Sequence, residues 1–138
     1  MSGTLVDSNV LLDILIPDPA WEMWSSEALM EAAESSVLAI NPIIYAEVSI
    51  GFDRIEELED ALPEPLRREE LPWDAAFLAG KAFLQYRPSA GEKRSPLPDF
   101  FIGAHAAVRG YRLLTRDAKR YRTSFPTVQL ITPDNQGA

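Results

Sequence analysis

The sequence predicts an α/β domain with a mainly parallel central sheet flanked by helices. Three observations predict it. Short apolar runs of strand length recur along the chain and alternate with longer helix-like segments. The 138 residues fit one domain, and a domain of that size buries about two-thirds of the surface its unfolded chain exposes. The 46% of hydrophobic residues supply a core without staples; with no cysteine, disulfides and thiolate metal sites are excluded.

Residues 4–7 read as a short buried strand entered almost at the start of the chain. Residues 9–16 read as a helix, stopped by Pro17 and Pro19. Residues 21–33, rich in Ala, Glu and Met, form a second helix whose Trp21, Met23, Trp24 and Met30 are expected mostly in the core. The run Val37–Ile40 is a second strand; Pro42 then suits the first turn of a helix reaching about residue 52. Residues 55–62 continue helical with an acidic face, and the connector 63–72 has room for a short strand near 69–71. Residues 73–87 form an amphipathic helix with Phe77, Leu78, Phe83 and Leu84 expected inward. After a loop over 88–98, a helix opens at Asp99 and ends at Gly110, a residue suited to the position after a helix C-terminus. A strand over 112–115, a helical turn over 118–121 and a last strand over 128–131 follow, with a frayed tail.

The net charge of −8 argues against nucleic acid, whose phosphates are bound by Lys and Arg. The charge is unevenly placed, however. Residues 87–122 hold nine of the thirteen basic residues and only three acids, a net of +6 against −14 elsewhere. That asymmetry suits an anionic partner for one part of the molecule, or a solvated basic face. No apolar run approaches the roughly 20 residues of a membrane helix, and MSGTLVDSN lacks the basic start and apolar stretch of a signal peptide, so a cytoplasmic location is expected.

Four acids stand out by position. Asp7 ends the first strand and Asp117 follows a later one, and ligands of open α/β sheets bind beyond the carboxyl ends of strands. Glu47 shares a helix face with Ile43, Ile44 and Ile50, where an unpaired carboxylate costs several kcal/mol, so pairing, protonation or metal must compensate it. Asp99 opens a helix whose same face carries Gly103 and Ala106, small enough for close approach to the sheet. Each has a plainer reading: Asp99 as a helix N-terminal acid, Asp7 as a cap, Asp117 as a turn residue, Glu47 as half of an ion pair.

Together, four carboxylates repel one another, which raises their pKa values unless a cation neutralises them. Hard oxygen ligands favour Mg²⁺ or Mn²⁺, and with His105 the single histidine a typical zinc site is excluded. Such ions activate water and stabilise the leaving oxygen of a phosphodiester, which is hydrolytic nuclease chemistry without a side-chain nucleophile. His105 lies six residues past Asp99 and points away from it around the helix, as a structural or surface residue. Arg116, Lys119 and Arg120 adjoin Asp117 and are candidate contacts to the phosphates of a nucleic acid, with Lys93 and Arg94 as a second group.

LVDSNVLLD near the N-terminus, the acid within NPIIYAEVSIGF, PDFFIGAHA and LLTRD, in this order and spacing, resemble the PIN-domain family, and the small size resembles its VapC branch, the toxin half of toxin–antitoxin pairs. The resemblance implies a PIN-like three-layer fold, with a nuclease domain over 1–132 and a short tail over 133–138. It implies that Asp7, Glu47, Asp99 and Asp117 are the metal-ligating acids, the last more often through water. Thr115 matches a hydroxyl position that orients Asp117 or the water, and Asn9 a supporting polar position. Mg²⁺ or Mn²⁺, an RNA substrate, a homodimer, a heterotetramer or larger with a VapB-like antitoxin, and no membrane are implied with it. The aromatic and methionine residues of 21–33 would then offer an interface to the dimer or the antitoxin. The loop before Asp99 is long and basic, and His105 takes a usually small or apolar position. Two alternatives stay open: a non-catalytic, metal-stabilised RNA- or protein-binding module, and a phospho-accepting signalling domain, which would want adjacent acids where Ser8 and Asn9 stand.

Overall fold

The computed structural model describes residues 3–86 and 97–133. Its strands are β1 (Gly3–Val6), β2 (Val37–Ile40), β3 (Leu66–Arg68), β4 (Arg112–Leu114) and β5 (Leu130–Ile131). They form one sheet in the order β3-β2-β1-β4-β5, every neighbouring pair parallel. The helices are α1 (Ser8–Leu15), α2 (Glu22–Ser35), α3 (Pro42–Ser49), α4 (Ile55–Ala61), α5 (Trp73–Gln85), α6 (Leu97–Arg109) and α7 (Ala118–Ser124). The expected α/β class with a parallel sheet is what the chain forms. Among the described residues no helix is long and apolar enough to cross a membrane.

The strand order reverses between β1 and β4: the chain first builds outward through β2 and β3, then returns to the other side of β1. Such a reversal opens a crevice at the carboxyl ends of the two central strands. All four residues of β1 are buried, and Leu5 pairs in register with Ala39 on one side and Leu113 on the other. Strands flanked on both sides and covered on both faces are uniformly apolar, hence the unbroken runs. Leu5, Val6, Ile40, Ile44, Ile102, Leu113 and Leu114 form the centre of the core.

Local chemistry sets the helix starts and one stop. Asn41 caps α3, its Oδ1 accepting the Ile44 N–H at 2.9 Å with Pro42 in the first turn. Gly110 has φ +67°, the left-handed conformation a side chain disfavours, and lets the Tyr111 N–H reach back to the Ala106 carbonyl at 2.9 Å.

Several expectations shift. In α5 the buried positions are Ala75 and Ala79, while Phe77 and Leu84 are 69% and 74% exposed; Leu78 packs on the core as expected, and Phe83, partly exposed, sets its ring edge-on against the buried Phe100. Small residues four apart bring α5 close to α6, and the large side chains are left on the outer face. The same holds for α2, which buries Ser25, Ala28 and Ala32 while Met23 and Met30 are exposed and Trp21 and Trp24 half-buried. Helix α3 stops at Ser49, short of residue 52, which leaves Ile50 exposed. β3 lies earlier than 69–71 because Leu66 and Arg68 pair with Leu38 and Ile40. Helix α7 runs on to Ser124, past the expected single turn. Gly103 faces the Phe125 ring rather than the sheet. The loop 88–96 and residues 134–138 of the tail lie outside the described residues.

His105 is fully buried and structural. Asn41 Oδ1 is committed to Ile44, so its amide donates to His105 Nδ1 at 3.0 Å. The ring proton therefore sits on Nε2, 3.4 Å from Glu69 Oε1. Burial lowers the His105 pKa, opposed by Glu69, so the ring stays neutral near pH 7.

Candidate active site

Asp7 leaves β1 at the topological reversal, its N–H bonded to the Leu114 carbonyl of β4 at 2.9 Å. It is the N-cap of α1, with Oδ1 accepting the Ser8 N–H at 2.8 Å. The capping reading is thus correct for one oxygen. The other, Oδ2, accepts from Thr115 Oγ1 at 2.7 Å and from the Tyr121 hydroxyl at 3.1 Å. Asp7 is 3% exposed, and its pKa is pushed up to about 7. Burial is the largest cause, ahead of the Asp99 and Glu47 charges; the Thr115 hydroxyl and the Ser8 N–H pull the other way. Loss of water, more than repulsion between acids, sets the shift.

Asp99 sits in the first turn of α6 and faces α7. The Tyr121 hydroxyl lies 3.2 Å from its Oδ1 and shares its single proton between the two acids, so one phenol spans Asp7 and Asp99. Burial and the two nearby carboxylates hold the Tyr121 pKa well above 10, so the phenol stays a neutral donor. Arg120 donates through Nη1 to Asp99 Oδ2, and its Nε lies 3.6 Å from Asp117 Oδ2. Asp117 occupies the N-cap position of α7 without a side-chain capping bond.

Glu47 is half-buried on α3 and accepts from Ser8 Oγ at 2.8 Å. Ser8 therefore links Glu47 to Asp7, through its hydroxyl to one and its N–H to the other. Thr115 donates to Asp7 and accepts the Asp117 N–H at 3.0 Å, and Asn9 Nδ2 lies 3.3 Å from the same hydroxyl oxygen. Asn9 Oδ1 accepts the Arg116 N–H at 3.2 Å. Single intervening groups thus join all four acids: Ser8 between Glu47 and Asp7, Tyr121 between Asp7 and Asp99, Arg120 between Asp99 and Asp117.

The basic candidates separate. Arg116 turns away from the crevice and grips the buried Asp13 with two bonds of 2.7 and 3.0 Å, its guanidinium 4.9 Å over the Trp21 ring. Ser25 Oγ adds a third bond to Asp13 at 2.7 Å. A guanidinium so engaged fastens the loop after β4. Arg120 faces the acids, Lys119 is exposed, and Lys93 and Arg94 lie outside the described residues. Ser8 and Tyr121 went unrecognised as site residues. Tyr121 follows Asp117 by four residues in a helical stretch, which already places the two on neighbouring turns.

The donor set suits a hard divalent cation: carboxylates, a threonine hydroxyl and no sulfur or imidazole. A guanidinium already stands against two of the acids, so the crevice accepts positive charge. Among the described residues, however, no three His, Cys, Asp or Glu side chains close into a metal-ligating group; hydroxyls and Arg120 stand between them. Beside Asp99 and Asp117 opens a cleft of about 800 Å³, its walls including Lys81, Tyr86 and Lys119.

The PIN domain family model matches residues 4–126. Among solved structures, the chain is similar to the toxin–antitoxin complex from Klebsiella pneumoniae, with 24% identity, 95% of this chain and 98% of that one covered, and a TM-score of 0.69. It is similar to VapBC2 from Rickettsia felis bound to a promoter DNA fragment, with 17% identity, coverages of 94% and 97%, and a TM-score of 0.69. DNA-bound VapBC from Salmonella typhimurium gives 18% identity, coverages of 96% and 98%, and 0.67. At these identities the likeness is one of fold. Among curated protein sequences no match is found.

Proposed function

The chain belongs to the PIN domain family, whose members are generally nucleases, and from that premise we propose that it is a Mg²⁺- or Mn²⁺-dependent ribonuclease, the VapC-type toxin of a toxin–antitoxin pair. The observation that carries this reading is the continuous linkage of Asp7, Glu47, Asp99 and Asp117 at the carboxyl ends of β1 and β4. In this reading Asp7, Glu47 and Asp99 hold the cation, with Asp117 reaching it more often through water. The bound ion supplies an activated water and stabilises the leaving oxygen of the phosphodiester. The protein's own part is alignment. Thr115 fixes Asp7 Oδ2 and tethers the Asp117 backbone, Asn9 holds the loop after β4, and Tyr121 keeps Asp7 and Asp99 facing each other. Lys119, exposed on the cleft wall, meets RNA phosphate.

A VapB-like antitoxin, a homodimer within a heterotetramer or larger, and a cytoplasmic setting belong to the same reading. A second reading, a non-catalytic metal-stabilised binding module, is favoured by the lack of a closed three-carboxylate group among the described residues. One assay separates the two. Purified protein is incubated with a panel of structured RNAs in Mg²⁺, in Mn²⁺ and in chelator. Metal-dependent cleavage that Asp7→Asn abolishes is the expected result, because an amide is a poorer ligand for a hard cation. RNA binding without cleavage under every metal condition is the mark of the binding module. Expression of the chain alone in a bacterial host, with Asp99→Ala beside it, tests the toxin role: growth arrest by the first and not the second is expected, and equal growth at equal protein level refutes it.

A further inference from the structure

We infer that Arg120 is a built-in counter-ion of the acid crevice: in the metal-free protein its guanidinium holds Asp99 and Asp117, and a divalent cation must displace it into the neighbouring cleft in order to bind. The inference rests on the metal site of the reading above and concerns what the metal competes with.

Arg120 takes Oδ2 of Asp99 through Nη1 and approaches Oδ2 of Asp117 through Nε at 3.6 Å. One cation therefore spans carboxylates from two elements, α6 and the cap of α7. The Arg120 and Asp99 side chains are 34% and 20% exposed, so solvent and salt screen the pair less than one on the open surface. Its neighbours do not supply this charge. Tyr121 contributes a neutral phenol, and Arg116 spends its guanidinium on Asp13.

A small divalent cation demands near-octahedral oxygen geometry at close range, with the carboxylate oxygens turned toward it. Arg120 stands against Oδ2 of both Asp99 and Asp117, so a cation that takes these carboxylates, directly or through water, meets the guanidinium's charge at close range and repels it. Arg120 also lines the cleft of about 800 Å³, which gives its long side chain somewhere to go. The backbone of α7 need not move, because buried Ala118 and Tyr121 anchor it. The exchange lowers the affinity for metal by the free energy of the lost pair. For a partly exposed pair that is about a threefold to tenfold effect on the dissociation constant.

The test is calorimetric titration of Mg²⁺ and Mn²⁺ into chelator-treated wild type and Arg120→Gln, with thermal melting of both in chelator and in saturating metal. Arg120→Gln should bind metal about threefold to tenfold more tightly. Its metal-free melting temperature should drop below wild type, and its metal-loaded one should match wild type. Arg122→Gln, which removes the same charge two residues away in the exposed last turn of α7, should bind metal as wild type does. If Arg120→Gln does not fold, Arg120→Lys carries the same comparison, since an ammonium cannot reproduce the two-pronged contact. Unchanged or weaker metal affinity overturns the inference. So does a melting loss that is equal with and without metal, which marks Arg120 as a support of the fold alone. A wild type that takes up neither ion overturns the metal reading itself, and the inference with it.

Discussion

The Thr115 hydroxyl donates to Asp7 Oδ2 at 2.7 Å across 108 residues of chain. It joins the ends of the two central strands, and of the groups touching Asp7 it does the most to favour the ionised carboxylate. Thr115→Val keeps the shape and removes the donor. Stability in chelator at pH 8 should fall by about 1.5–3 kcal/mol, the range for a hydrogen bond to a charged group. At pH 5, where Asp7 is protonated, the loss should be smaller. Thr115→Ser should restore most of it. Urea melts of the three proteins at the two pH values make the check; equal losses at both pH values would show that the hydroxyl does not act through the Asp7 charge.

Asp7 binds its proton more tightly when folded, at about pH 7, than in an unfolded chain, where 3.8 is ordinary. Between those values the native state holds the extra proton, so stability falls as pH rises. The contribution is fully present below about pH 4 and lost once pH has passed through 7. In chelator, the wild type should therefore lose stability from pH 4 to 7 relative to Asp7→Asn, and the difference should level off above 7. Saturating Mg²⁺ should flatten the slope by binding the ionised form, with a gain of about 2.7 kcal/mol at 100 times the dissociation constant. Parallel profiles for wild type and variant would contradict the burial-driven shift.

Arg116→Gln leaves Asp13, itself 3% exposed, with Ser25 as its remaining side-chain partner shown here. The expected loss is about 2–3 kcal/mol, below the full figure for a buried pair because Arg116 is partly exposed. RNA affinity measured in chelator should change less than in Lys119→Gln. The reverse order in an anisotropy titration at two salt concentrations would return Arg116 to the phosphate path.

A Cβ on Gly103 would stand 2.3 Å from Phe125 Cδ2. Gly103→Ala should cost about 1–3 kcal/mol by overpacking. Phe125 ends the helix that carries Arg120 and Tyr121, so cleavage should fall as well. Adding Phe125→Leu should recover both. A stable, fully active single variant would mean that the ring rotates aside without cost.

The fold was legible wherever chemistry is local. The apolar runs of β1, β2 and β4, Pro42 in a first helical turn and the Gly110 stop depend on residues close in sequence, and these lie where the pattern puts them. The outer face of α5 was not legible, because Phe77 and Leu84 have the right period for burial while Ala75 and Ala79 have the right size for close packing. Period alone cannot rank those two faces. Three of the acids could be picked from their places after strands and at a helix start, and Glu47 from its place on an apolar helix face. The intervening groups could not, since Ser8, Arg120 and Tyr121 gain their meaning only when α3, α6 and α7 meet. The Arg116–Asp13 pair was illegible for the same reason: the two are 103 residues apart.

Parallel pairing of β1 with β4 has a consequence for synthesis. A ribosome delivers Asp7 first and Thr115 108 residues later; at roughly 5–20 residues per second, that interval is about 5–20 s. Once β2 has been made, β1 has that neighbour but no β4; Asp99 is missing for most of the interval, and Arg120 and Tyr121 for all of it. A prematurely terminated product therefore lacks the crevice altogether. If the chain cleaves RNA, it cannot attack the message or the ribosome making it until β4 and α7 have been made, and the order of strands in the sheet acts as a safety interlock on its own production.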